Sequence, residues 1–116
     1  LHAGEEQGLT PSGWDSDRAA AFAANVVVVA GIAPVVEELT YRGLGFSLLR
    51  PYGLASAIIG VGVAFGLAHG LIEALPILSL FGIGLAWLRE RTDSVYPAIL
   101  LHAAFNGFAL AASVAF

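Results

Sequence analysis

The feature that most constrains this chain is a succession of long uncharged apolar runs, each bounded by a short polar or charged break. Ala19 to Val36 carries no charge. Leu54 to Ile72 is broken only by His69, and Ala74 to Leu88 is uncharged. After Asp93, the chain runs without charge to Phe116, with His102 and Asn106 inside. A spanning helix needs about 20 mostly apolar residues. In lipid a lone strand leaves its backbone unpaired, so helix is expected even at Val26 to Val29, where four valines favour β locally. The runs predict an all-α, polytopic membrane helical bundle of about four transmembrane helices.

Composition agrees. The 116 residues are 58% hydrophobic and 12% charged, against roughly 45–50% and about 25% in an ordinary soluble domain. Without lysine or a basic stretch, nothing suits a nucleic-acid partner. The absence of cysteine excludes a thiol nucleophile and thiolate metal ligands. Residues 1–18 read as a polar tail or linker, with Trp14 suited to the headgroup zone. Residues 19–116 read as the membrane-embedded part. The chain starts at Leu1 and has no methionine, which reads as a piece of something larger.

The first helical pattern continues through Glu37, Glu38 and Arg42 towards Arg50, and Pro51-Tyr52-Gly53 forms a turn. Asp93 or Ser94 is expected to cap the last helix, with Pro97 in its first turn. Gly62, Gly66 and Gly70 recur every four residues and predict one small-residue face for close helix approach. Arg50, Arg89 and Arg91 favour a cytoplasmic position for the breaks after the first and third helices.

Six polar residues stand inside the apolar pattern: Glu37, Glu38, Arg42, His69, His102 and Asn106. A charge at mid-bilayer costs about 2.5–3.5 kcal/mol on insertion scales, so they need a shared reason. Measured from the face marked by Arg50, Pro51 and Asp93, Glu37 lies at ~20 Å and His69 at ~25 Å. His102 lies at ~14 Å and Asn106 at ~20 Å from that face. One slab holds them all.

Glu38 and Arg42, four apart with the glutamate N-terminal, suit an ion pair. Glu37 points about 100° away and is left as the working base. His102 and Asn106 are also four apart and can aim at one point. Pro34 lacks the amide hydrogen for the carbonyl of Ala30, which predicts a kink or opened backbone just before Glu37. Serine-nucleophile and H-E-x-x-H patterns are absent, and Gly82-Ile83-Gly84 lacks the aspartate of an aspartyl dyad. What remains is water activated by a carboxylate, with neutral donors for an oxyanion.

Ala33-Pro34-Val35-Val36-Glu37-Glu38-Leu39-Thr40-Tyr41-Arg42 resembles the E-E-x-x-x-R motif of the CAAX-protease and bacteriocin-processing (Abi) intramembrane glutamate proteases. Phe65-Gly66-Leu67-Ala68-His69 resembles their F-x-x-x-H motif, and His102-Ala103-Ala104-Phe105-Asn106 their H-x-x-x-N motif. Tyr41 stands where many relatives carry phenylalanine. The resemblance implies an endopeptidase that cleaves a membrane-associated peptide or protein, either a CAAX-type C-terminus or a leader peptide. By the same resemblance Glu37 and His69 activate water, His102 and Asn106 stabilise the oxyanion, and Glu38 and Arg42 support them. It also implies that the chain is the core of a larger fold in a bacterial or archaeal cell membrane. The site is expected to be metal-free, with zinc on the two histidines and a glutamate as the alternative. The contrasting functional reading is a non-catalytic immunity or scaffold protein that keeps the motif residues. A carrier using Glu37 and His69 as proton relays is a third, and no inverted repeat supports it.

Overall fold

The computed structural model describes residues 15–115, and among these every regular element is helical. The expected tail of residues 1–18, Trp14 included, lies outside the described residues apart from its last few. Helix α1 runs from Ser16–Tyr52. Its first turn is tight, and the Asp15 side chain accepts from the Asp17 amide at 3.0 Å. Helix α2 is Leu54–Ala68, α3 is Leu75–Thr92 and α4 is Tyr96–Ala115.

Two of these, α1 and α4, are long and apolar enough to cross a membrane. The expectation of four crossings is thus met in part. Helix α2 is apolar but has 15 residues, about 22 Å at the helical rise, which is short of a hydrocarbon core of about 30 Å. The α3 helix outlasts its uncharged run, which stops at Leu88. It continues through Arg89, Glu90 and Arg91, because loss of apolarity does not end a helix of good helix formers. It stops where Asp93 turns left-handed, at φ 48°. Ser94, rather than Asp93, supplies the cap-like contact to α4, accepting from the Tyr96 amide at 3.2 Å.

Two stretches of α1, Val27–Ile32 and Leu39–Gly45, are wound as π-helix. The disturbance expected from Pro34 therefore takes the form of a wider turn just before it. Such turns recur at functional sites.

Helices α2 and α3 form the tightest pair. A Cβ on Gly62 would fall 2.6 Å from the Ile83 amide nitrogen, and one on Gly82 would fall 2.8 Å from the Gly62 carbonyl. A Cβ on Gly66 would fall 3.0 Å from the Ser79 amide nitrogen. Gly70 does not share this face, because α2 ends at Ala68 and Gly70 lies in the following turn at φ 67° with open space around it. Phe46, Ala57, Val61 and Ala86 pack as a small core at the other end of the pair. There Arg50 donates twice to Glu90, at 3.2 Å each, tying the end of α1 to the end of α3. That contact puts the breaks after α1 and α3 at one end of the molecule. The outer surface carries Val27, Ile32, Val36, Leu80 and Phe108, all exposed as lipid-facing side chains would be.

Candidate active site

The largest fully buried side chain in the described chain is an arginine, Arg42. A lone buried guanidinium is unstable, so its partners define the site. Glu38, one turn earlier and equally buried, accepts from Arg42 Nη1 at 3.1 Å. Arg42 Nη2 donates to the Gly82 carbonyl at 2.8 Å. The Gly62–Gly82 contact lets the α3 backbone come near enough to offer that carbonyl. The guanidinium carbon lies 4.4 Å from the ring centre of Phe65, a desolvated cation–π contact.

Glu38 Oε1 has a second partner from α4. His102 Nδ1 stands 2.6 Å away. The oxygen that accepts from Arg42 accepts here too, which puts the Nδ1 hydrogen on His102 and leaves Nε2 with a lone pair in the neutral ring. His69 is oriented in the same sense by different means. It follows the last residue of α2, and its Nδ1 lies 2.7 Å from the Phe65 carbonyl, which can only accept. Its Nε2 therefore also carries a lone pair when neutral. Phe65 packs edge-on against both imidazoles, with ring centres 4.5 Å from His69 and 5.4 Å from His102.

Both Nε2 atoms face the same oxygen. Glu37 Oε2 is 3.4 Å from His102 Nε2 and 3.7 Å from His69 Nε2. The Glu37 side chain is 30% exposed, yet Oε2 itself is buried and has no hydrogen-bond partner. The two Nε2 atoms and Glu37 Oε2 thus converge on one point. A water brought to this point finds acceptors for both of its hydrogens. For His102 to donate from Nε2 the ring must carry a second proton.

Asn106 lies one turn beyond His102 on α4. Its Nδ2 donates to the Val29 carbonyl at 2.8 Å, inside the first π-helical stretch of α1. One amide hydrogen remains for another acceptor. Five of the six polar residues singled out from the sequence therefore meet through side chains. The sixth, Asn106, is tied instead to the backbone beside them.

The spacing of residues did not disclose the supporting acceptors: the Phe65, Gly82 and Val29 carbonyls. Nor did it show that Glu38 serves His102 as well as Arg42. By donor type, Glu37, His69 and His102 are the set a zinc ion uses. Among the described residues, however, no group of three or more such side chains is arranged to hold a metal ion.

Apolar helices built around a carboxylate–imidazole cluster define a class of all-helical protein in which two helices are able to cross a membrane. Within that class, the chain belongs to the type II CAAX prenyl endopeptidase Rce1-like family, whose model matches residues 19–108 and so spans all six polar residues. This is a family of membrane-embedded hydrolases acting on membrane-associated prenylated proteins. No curated protein and no solved structure matches the chain.

Proposed function

We propose that the chain is an intramembrane glutamate endopeptidase, with α2 and α3 crossing the bilayer alongside α1 and α4. The observation that carries this reading is the convergence of His69 Nε2 and His102 Nε2 on the buried Glu37 Oε2. Family membership favours a prenylated CAAX-type C-terminus over a bacteriocin leader as substrate.

In this reading water donates one hydrogen to Glu37 and the other to His69 Nε2. As Glu37 takes the proton, the water oxygen bonds to the scissile carbonyl carbon and the carbonyl π pair moves onto its oxygen. The remaining Nδ2 hydrogen of Asn106 donates to that oxyanion, and His102 Nε2 joins it once the ring has taken a second proton from solvent ahead of the attack. When the tetrahedral intermediate collapses, the C–N bond breaks and the proton held by Glu37 passes to the leaving amine. Glu38 keeps His102 in its tautomer, and Arg42 holds Glu38 against the cost of burying a carboxylate. No metal takes part.

The test is cleavage of a prenylated CAAX peptide by the purified protein in detergent, with and without a chelator. Activity that survives chelation and disappears in a folded Glu37→Ala variant is the expected result. Undiminished cleavage by that variant overturns the assignment.

A further inference from the structure

We infer that Pro34 is a positioning residue that keeps the Val29 carbonyl open as the anchor for Asn106. In an α-helical ladder the Val29 carbonyl would take the amide of Ala33. Here the Ala33 amide bonds Val28 instead, in the wider register of the Val27–Ile32 stretch. The next donor in that register is residue 34, a proline with no N–H. Both ladders thus leave the Val29 carbonyl empty, and Asn106 Nδ2 fills it from α4 at 2.8 Å. The two helices are side by side at this level, since a Cβ on Gly107 would make an ordinary contact with that of Ala30 at 3.7 Å.

A primary amide is planar, so fixing one Nδ2 hydrogen on Val29 fixes the direction of the other. A missing backbone hydrogen on α1 therefore aims a side-chain hydrogen on α4. The catalytic consequence rests on Asn106 acting as the oxyanion donor proposed above; the anchor itself does not.

Replacing Pro34 by alanine supplies the missing amide, which closes the ladder onto Val29 or rewinds the turn to α-helix. The readout is the side-chain amide of Asn106 in protein labelled with [15N]asparagine in detergent. Asn25 and Asn106 are the chain's two asparagines, and Asn25→Gln assigns the pair. In the parent, one Asn106 Nδ2 hydrogen exchanges slowly, and Pro34→Ala removes that protection. An Asn106 amide that exchanges freely in the parent overturns the inference whether or not the variant folds.

In the cleavage assay, Pro34→Ala lowers kcat at least about tenfold and leaves KM unchanged, less than the 10²–10³ typical of deleting an oxyanion donor. It has no further effect in an Asn106→Ala background. Independent, multiplicative losses overturn the inference. A protected Asn106 amide in a protein that cleaves nothing would instead sink the protease reading while leaving the anchor standing.

Discussion

Removing the Glu38–Arg42 pair first by one charge and then by both separates stability from activity. Both side chains are wholly buried, so Arg42→Met leaves the Glu38 carboxylate in low dielectric with His102 as its remaining partner. Breaking a buried pair from one side costs about 3–5 kcal/mol. In a chain of this size that lowers Tm by about 12 °C or more. The Gly82 carbonyl loses its donor as well, which places the loss towards the upper end. Glu38→Gln combined with Arg42→Met removes both charges, and because a neutral pair of similar volume is often tolerated, most of the Tm returns. Activity does not return, since His102 Nδ1 then faces an amide that no longer fixes its tautomer. The expected loss in kcat is between about 10² and 10⁴. Tm is read by thermal unfolding in detergent and kcat by peptide cleavage. A double variant no more stable than Arg42→Met refutes the burial argument. A double variant with parental kcat refutes the role given to Glu38.

Two further outcomes follow from the geometry. In protein labelled with [15N]histidine under mildly alkaline conditions, His69 and His102 both show a protonated Nδ1 and a bare Nε2. An Nε2–H tautomer at either ring breaks the convergence on Glu37. Gly82→Ala forces α3 away from Gly62 and Phe65 and destabilises the protein by about 1–3 kcal/mol, as overpacking does. It also weakens the Arg42 anchor, so kcat falls with it. A Tm unchanged by this substitution contradicts the close approach of α2 and α3.

Much of the site was legible because helical spacing is local. A spacing of four from Glu38 to Arg42 predicts their pairing, and the helical rise alone places Glu37, His69 and His102 at similar depth. Gly62 and Gly66 announce the α2–α3 contact in the same way. Gly70 misled because a regular spacing says nothing about where a helix stops. The uncharged run to Leu88 did not by itself mark the end of α3, because apolarity marks lipid contact whereas helix continues through Arg89 and Glu90 on propensity. The two-sided use of Glu38 depends on how α4 is rotated, and one-dimensional spacing carries no such angle. Pro34 signalled a disturbed ladder, but not that the vacancy would fall on Val29 and be filled by Asn106.

The account stands on Glu37 as the proton acceptor for water. Its most direct test is the turnover of Glu37→Gln, a substitution that keeps the shape and removes the base, measured beside Tm and peptide affinity. The account predicts kcat lower by at least about 10²-fold, with Tm and the peptide Kd close to the parent's. A folded Glu37→Gln protein that turns over within a few-fold of the parent would contradict it.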